Sequence, residues 1–154
     1  MTVVKGCAAG GTSINVEVVI EVSRGSFAKR DEHGAIEFLA PLPCPFNYGA
    51  VPALRSGDGD RLDAVVLGAR LAAGTRCTLP VQAAIHFIDA GVVDDKLICA
   101  AAPPGPALRV AIIGFFRFYA VAKYLLNRWH GHHGRTSCQG WIDPQTAVAA
   151  AERR

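Results

Sequence analysis

A change of hydrophobic pattern at Pro103, Pro104 and Pro106 most constrains the fold, because it divides the chain into a strand-rich part and a helical part. Before these prolines, short β-branched and apolar runs separated by polar turns are typical of strands. After them, apolar residues recur at the spacing of a helix. Many short strands followed by helices predict a mainly β fold, a small barrel with α-helices packed outside.

Six segments before the prolines are predicted strands, and two segments after them are predicted helices. The predicted strands cover residues 16–22, 35–39, 64–67, 76–78, 81–88 and 96–101, and the predicted helices cover residues 108–129 and 144–151. Residues 81–88 and 96–101 are separated by a polar loop, so we expect them to pair as a hairpin. Asp143 is placed to cap the second helix, and Pro144 suits its first position.

The composition indicates one folded domain rather than a disordered chain, since 51% of the residues are hydrophobic and 19% are charged. The length of 154 residues fits a single domain, expected over residues 15–154 after a flexible leader of residues 1–14. Five cysteines without a CxxC pair favour free thiols and a cytoplasmic location. The most apolar run, residues 110–126, is shorter than the roughly 20 residues of a membrane span, so we expect no membrane association.

Acidic residues are absent from the sequence between Asp95 and Asp143, although basic residues are present there. Those basic residues are Lys96, Arg109, Arg117, Lys123, Arg128 and Arg135. A surface with one sign of charge can attract phosphate-bearing ligands. The alternative is a basic face that is simply solvated.

The first acidic motif is the run DGDRLD at residues 58–63. Asp58 and Asp60 are two apart and point the same way on an extended chain, while Asp63 can return toward the same point. Three convergent carboxylates suit Mg²⁺ or Mn²⁺. An EF-hand is excluded, because its sixth and twelfth positions are here Asp63 and Ala69 instead of Gly and Glu. The remaining alternative is an acidic surface turn.

The second acidic motif is DAGVVDDK at residues 89–96. Asp89 and Asp94 flank the loop of the predicted hairpin, so both can face one site. Asp94 and Lys96 alternate onto one face of the strand. Such a pair can be a surface ion pair of little energetic weight, but beside the first motif it favours a metal and phosphate site.

Several segments resemble the family I soluble inorganic pyrophosphatases. They are VVIEVSRGSFAK, NYGAVP, DGDRLDAVVL, DAGVVDDKLI, FFRFY and GWIDPQTA, which lie within residues 15–152. The resemblance implies an OB-like five-stranded β-barrel with C-terminal helices, Mg²⁺-dependent hydrolysis of pyrophosphate to two phosphates by metal-activated water, and a homo-oligomer, commonly a hexamer. It implies no nucleic-acid partner.

The resemblance also implies roles for eleven residues. Activating metals would be held by Asp58, Asp63 and Asp94, and metals that arrive with the substrate would be bound with the help of Asp89 and Glu21. Asp31 stands at the position of a family glutamate, and Asp60 would be the general base. Phosphate oxygens would be held by Tyr48, Lys96, Lys29 and Tyr119. Metal ions neutralise and position the phosphate oxygens in this kind of reaction, and a nearby carboxylate can accept the proton of the attacking water.

The sequence departs from the family at phosphate-binding positions. Ala40 stands where the family has an arginine, Cys44 replaces a tyrosine, and Ala120 follows Tyr119 in place of a lysine. Each lost charge-assisted contact costs roughly 1.5–3 kcal/mol. A catalytically impaired relative that binds metal or phosphate is therefore the alternative, and a hydrolase for another phosphoanhydride is a third. Lys123, one helical turn after Tyr119, is a candidate to replace the absent lysine.

Two further features of the helical part have competing interpretations. A metal site could be built from His130, His132, His133 and Cys138, but their spacing matches no standard zinc pattern. Stacking on nucleic-acid bases could involve Phe115, Phe116, Phe118 and Tyr119, but at helical spacing we expect these aromatic residues in the core.

Overall fold

The computed structural model describes residues 4–8, 11–31, 33–39 and 42–152, and these residues form ten strands and two helices. The strands are β1 (Val4–Ala8), β2 (Gly11–Val22), β3 (Ala28–Arg30), β4 (Ile36–Leu39), β5 (Asn47–Arg55), β6 (Arg61–Val66), β7 (Arg76–Asp89), β8 (Val92–Val93), β9 (Lys96–Cys99) and β10 (Ser137–Ile142). The helices are α1 (Pro106–Trp129) and α2 (Pro144–Glu152).

Five of the strands close into a barrel in the order β2-β5-β6-β9-β7, because β2 pairs with β7 as well as with β5. Neighbouring strands in this ring are antiparallel except β6 and β9, which are parallel. Closure removes the exposed edges that an open sheet would present. The predicted OB-like five-stranded barrel with helices outside is confirmed.

Hydrophobic side chains on the two faces of the barrel strands form two separate cores. The first takes residues from all five barrel strands, for example Val18, Leu62 and Leu97, and therefore fills the barrel interior. Residues of α2 pack against this core. The second lies on the outer face of the strands and includes Ile85 and Phe87 with residues of α1. Successive side chains along β6 and β9 point to opposite faces of the sheet, so Asp63 and Lys96 belong to this outer face.

Several elements differ from the expectations drawn from the sequence. β5 and β10 were not predicted as strands, and β7 is continuous where two strands separated near Pro80 were expected. Residues 1–14 were expected as a leader, but they contain β1, which pairs with the beginning of β2. The predicted cap of α2 is confirmed, since Oδ2 of Asp143 accepts a hydrogen bond of 2.9 Å from the backbone N–H of Thr146.

The helix α1 packs one face on the barrel and presents an apolar second face to solvent. Ile112, Phe116 and Ala120 recur every four residues and are buried against the barrel. The exposed face carries Val110, Phe118, Val121, Leu125 and Trp129. Phe118 is 63% exposed, so the prediction that it belongs to the core is wrong.

With 24 residues, α1 is long and apolar enough by length and composition to cross a membrane. The expectation that this segment is too short for a span is therefore wrong, because the helix extends beyond residues 110–126 at both ends. Such a helix is also found in the cores of soluble proteins, and the inner face of α1 does pack on the barrel.

Candidate active site

Lys96 joins two carboxylates from different parts of the chain. It begins β9 and lies opposite Asp63 of the parallel strand β6. Side chains at the same register position lie on the same face of the sheet, and Nζ of Lys96 contacts Oδ2 of Asp63. Nζ also lies 2.6 Å from Oδ2 of Asp94. The two acidic motifs therefore meet at one ammonium group.

Burial and charge act in opposite directions on Lys96, which is 2% exposed. Burial lowers the pKa of Lys96. The adjacent carboxylates of Asp63 and Asp94 raise that pKa by more than burial lowers it, so the pKa lies well above its ordinary value. The ammonium group is flanked by the rings of Phe87 and Tyr48, with centroids at 5.4 and 5.9 Å. Lys96 is therefore a fixed cation whose carboxylate partners compensate for its burial.

Tyr48 supplies a third group to the same carboxylate. Its hydroxyl donates a hydrogen bond of 2.7 Å to Oδ2 of Asp63. Burial raises the pKa of Tyr48 well above its ordinary value, and the negative charges of Asp63 and Asp94 raise it further. The phenol is therefore neutral and acts as a hydrogen-bond donor at physiological pH.

The loops that carry the two motifs approach each other at Ser56 and Gly57. The backbone N–H of Gly57 donates a hydrogen bond of 3.0 Å to the carbonyl of Val93. A Cβ at Gly57 would lie 2.5 Å from that carbonyl oxygen, so only glycine fits. The hydroxyl of Ser56 donates a bond of 3.3 Å to Oδ1 of Asp94. Neither residue was predicted for the site, because a serine and a glycine before an acidic turn are ordinary turn residues.

The turn of the first motif holds its own acidic residues in place. Oδ1 of Asp58 accepts a hydrogen bond of 2.9 Å from the backbone N–H of Asp60. Gly59 between them has a φ of +89°, which favours glycine. The carboxylates of Asp58 and Asp60 are exposed, whereas Asp63 is half-buried.

Asp89 is held by the helical part of the chain. Nζ of Lys123 lies 3.2 Å from its Oδ2. Nδ2 of Asn127 donates a bond of 2.7 Å to its Oδ1, and the hydroxyl of Thr136 donates one of 3.4 Å to the same oxygen. Asn127 and Thr136 were missed from the sequence, because no motif marks contacts that depend on how α1 packs.

Three further predicted residues lie on β2 and around the β3–β4 hairpin. Nζ of Lys29 lies 3.3 Å from Oε2 of Glu21. Oδ1 of Asp31 accepts hydrogen bonds of 2.9 Å from the backbone N–H groups of His33 and Ala35. Asp31 thus stabilises the turn of this hairpin in addition to facing the site.

All eleven residues predicted for the site line two adjoining cavities. The larger, of about 520 Å³, is lined by Glu21, Lys29, Asp31, Asp58, Asp60, Asp63, Asp89 and Asp94 of the predicted set, and by Arg55, Arg61, His33 and Lys123. The smaller, of about 140 Å³, contains Tyr48, Lys96 and Tyr119. Lys29, Asp63, Asp94 and Lys123 line both. Tyr119 and Lys123 share a cavity, as their spacing predicts.

The residues that line the larger cavity are of the chemical type that binds a magnesium ion. Seven carboxylates line it against four side chains of lysine and arginine, counted among the described residues. Carboxylate oxygens are the ligands that Mg²⁺ and Mn²⁺ prefer. Within the described residues, however, no three Asp, Glu, His or Cys side chains converge as metal ligands. Of the three predicted ligands of the activating metals, Asp63 and Asp94 both contact the ammonium group of Lys96.

Comparison with known proteins identifies the family. The family model for inorganic pyrophosphatase matches residues 18–142. The chain belongs to the family I soluble inorganic pyrophosphatases. The inorganic pyrophosphatase of Haemophilus influenzae is 39% identical over 95 residues, which cover 56% of this chain and 54% of that protein. The match thus spans about half the length of that pyrophosphatase.

Solved pyrophosphatase structures show the same fold. The crystal structure of an inorganic pyrophosphatase from Neisseria gonorrhoeae is 26% identical, with a TM-score of 0.71, over 92% of this chain and 90% of that one. The inorganic pyrophosphatase from Thermus thermophilus is also 26% identical with a TM-score of 0.71, over 100% of this chain and 95% of that one.

The three positions at which the resemblance implies a departure from the family lie in different places. Ala40 is outside the described residues. Ala120 is buried with Ile112 and Phe116, so this position faces the core rather than the cavities. Cys44 lines the smaller cavity, and burial raises the pKa of its thiol to about 11. A neutral thiol therefore lines this cavity.

The raised pKa of Cys44 predicts slow alkylation. The thiolate is the reactive form, and a pKa of about 11 instead of 9.0 leaves roughly one hundredth of the thiolate at pH 8. We expect iodoacetamide to label Cys44 at least tenfold more slowly in the folded protein than in the protein unfolded in urea, as measured by mass spectrometry of tryptic peptides. Equal labelling rates of Cys44 in the two states would contradict its buried position.

Proposed function

We propose that this chain hydrolyses inorganic pyrophosphate to two phosphates in a reaction that depends on Mg²⁺, with Mn²⁺ as an alternative ion. The charge of the larger cavity carries this proposal. Seven carboxylates against four lysine and arginine side chains would repel a pyrophosphate anion. Bound divalent cations would reverse that charge, and membership of the pyrophosphatase family gives the site its substrate class.

The acidic residues divide into candidate metal ligands and a candidate base. Asp58, Asp63 and Asp94 would hold activating metals, and Asp89 and Glu21 would help to hold metals that enter with the substrate. Asp31 is a weaker candidate, since one of its oxygens already accepts two backbone hydrogen bonds. When bound, Mg²⁺ supplies positive charge that neutralises phosphate oxygens and favours the attack of water.

Asp60 is the candidate general base. Its carboxylate is exposed at the larger cavity, while its backbone N–H is fixed by Asp58. An exposed carboxylate can take a proton from water and return it to solvent. Its amide analogue could still offer an oxygen but could not accept a proton.

The cationic side chains are held by the same carboxylates that would bind metal. Lys29 pairs with Glu21, Lys123 pairs with Asp89, and Lys96 pairs with Asp63 and Asp94. If these carboxylates bind a divalent cation instead, each lysine loses its carboxylate partner and can contact a phosphate oxygen. Tyr48 and Tyr119 border the same space and would add hydroxyl donors. Metal binding and anion binding would then reinforce each other.

A catalytically impaired relative that binds metal or phosphate is the second candidate. The burial of Ala120 and the neutral thiol of Cys44 favour it, because neither can contact a phosphate as a lysine or tyrosine would. Two lost charge-assisted contacts would slow the reaction by a factor of about 10²–10⁴.

Phosphate release from pyrophosphate tests the proposed activity. We expect release by the parent only with Mg²⁺ or Mn²⁺, and a loss of about 10²–10⁴-fold in kcat for Asp60→Asn with the Mg²⁺-induced rise in Tm retained. Glu17→Gln, which removes a surface ion pair with Arg76, is the control and should behave like the parent.

The two candidate functions give different results in this experiment. No phosphate release together with a Mg²⁺-induced rise in Tm would support the impaired relative. No phosphate release, together with no rise in Tm with either Mg²⁺ or inorganic phosphate, would contradict both candidates. Near-normal turnover of Asp60→Asn would show that the base is another group.

We also propose that the chain is a cytoplasmic homo-oligomer, a hexamer by family resemblance. Four cysteines, Cys44, Cys77, Cys99 and Cys138, are free, which suits a reducing compartment. The outer face of α1 supports self-association, because Val110, Phe118, Leu125 and Trp129 form an exposed apolar stripe. Gly114 lies within this stripe and leaves open space for a close approach.

Disruption of the stripe should dissociate the oligomer. Phe118→Glu would bury a charge in the interface, so we expect a smaller species at micromolar concentration in size-exclusion chromatography with light scattering. Ala72→Glu, on the exposed segment between β6 and β7, is the control and should leave the mass unchanged. A parent protein that is monomeric at all concentrations would contradict this proposal.

A further inference from the structure

Two arginines line the larger cavity but take no part in the pairing of lysines with carboxylates. Arg55 ends β5 and Arg61 begins β6, and both side chains border the cavity. Both residues are exposed. Neither side chain forms an ion pair or a hydrogen bond with any residue in the part of the chain that the structure describes. The donors of both guanidinium groups are therefore available to a ligand.

Strand pairing places both guanidinium groups on the side of the sheet that carries the site. Arg55 and Arg61 are partners in the register of β5 and β6, so their side chains leave the same face. Arg61 is two residues before Asp63 on β6 and shares its face. The backbone N–H of Ser56 donates a hydrogen bond of 2.8 Å to the carbonyl of Asp60, which closes the loop between the strands. The two arginines thus stand at the base of the loop that begins the first acidic motif.

Two like charges at partner positions of neighbouring strands are unfavourable for folding. Asp60 precedes Arg61 directly in sequence, yet within the described residues no carboxylate is paired with either Arg55 or Arg61. A phosphate group between the two guanidinium groups would remove their repulsion. The planar donors of arginine also match two oxygens of one phosphate. The arrangement is therefore suited to an anion.

The lysines that line the same cavity are already engaged. Lys29 is paired with Glu21, and Lys123 is paired with Asp89. Each lysine can contact a phosphate oxygen only after its carboxylate has found another cation. The two arginines need no such exchange, so they differ from the lysines in being open to an anion from the start.

The sequence supplies a reason for additional cations in this site. The resemblance to the pyrophosphatases implies an arginine at position 40 and a lysine at position 120, and both positions are alanine in this chain. Ala120 is also buried in the core, away from the cavities. Arg55 and Arg61 bring the same number of positive charges to the larger cavity from other positions.

We propose that Arg55 and Arg61 together bind phosphate oxygens of the substrate at the edge of the larger cavity. This inference rests on the proposed function, from which the substrate, pyrophosphate with Mg²⁺, is taken. It adds two binding residues to those that the resemblance implies. Because the arginines would touch the anion and not the metal, they would contribute to the affinity for phosphate groups and not to the affinity for Mg²⁺.

Calorimetry with methylene diphosphonate tests the inference, because carbon replaces the bridging oxygen of this probe and it binds without being hydrolysed. With Mg²⁺ present, we expect Arg55→Gln and Arg61→Gln each to weaken its binding at least tenfold, because each loses a charge-assisted contact. The KM for pyrophosphate should rise by a similar factor. The affinity for Mg²⁺ alone should stay the same or increase, because a positive charge beside the carboxylates has been removed.

Arg76→Gln is the matched control. Arg76 is an exposed arginine that lines neither cavity and pairs with Glu17, so this variant changes the net charge by the same amount. It should bind the diphosphonate within about twofold of the parent, because solvent and salt screen a distant exposed charge. Affinity equal to that of the parent in both Arg55→Gln and Arg61→Gln would overturn the inference. A parallel loss of affinity for Mg²⁺ and diphosphonate would also overturn it, since the arginines would then hold the cavity together and not the anion.

Binding of the diphosphonate separates this inference from the proposed activity. If the parent releases phosphate and both arginine variants behave like the parent, the inference fails and the proposed activity stands. If the parent binds the diphosphonate through Arg55 and Arg61 but releases no phosphate, the proposed activity fails and the inference stands. A parent that does not bind the diphosphonate in the presence of Mg²⁺ would overturn the inference directly.

Discussion

The ammonium group of Lys96 between Asp63 and Asp94 is the interaction on which the rest of the site depends. It is buried, and removal of one partner from a buried ion pair typically costs about 3–5 kcal/mol. The parallel pairing of β6 and β9 brings Lys96 opposite Asp63, and closure of the barrel fixes that pairing. Asp63 and Lys96, which are 33 positions apart in sequence, thereby bring the two motifs to one point.

The same arrangement recurs around the site, with each lysine beside a carboxylate. Lys29 with Glu21 and Lys123 with Asp89 repeat the pairing of Lys96 on other elements. These ion pairs hold side chains from different elements together around the cavity. They also couple metal binding to phosphate binding, because a carboxylate that binds a cation releases its lysine to bind an anion. On this account, metal and phosphate binding are linked through side chains of the chain itself.

The sequence predicts the barrel, both helices and the acidic residues, because hydrophobic period and motif spacing are local properties. It does not predict β10, whose short mixed run SCQGWI is a strand only because it pairs with β7. Asn127 and Thr136 were missed because their contacts with Asp89 depend on helix packing. Residue spacing also cannot show that the ammonium group of Lys96 lies between the carboxylates of Asp63 and Asp94. The smaller cavity around Cys44 likewise arises only when distant segments meet.

A double-mutant cycle on Lys96 and Asp63 tests most directly whether this buried contact organises the site. The free energy of unfolding would be measured in urea for Lys96→Met, Asp63→Asn and the double variant. We expect Lys96→Met to lose about 3–5 kcal/mol, because Asp63 and Asp94 then face each other without a cation. The double variant should lose less than the sum of the single variants, by about 1–3 kcal/mol. Additive losses within about 0.5 kcal/mol would show that the two residues act independently and would contradict the account.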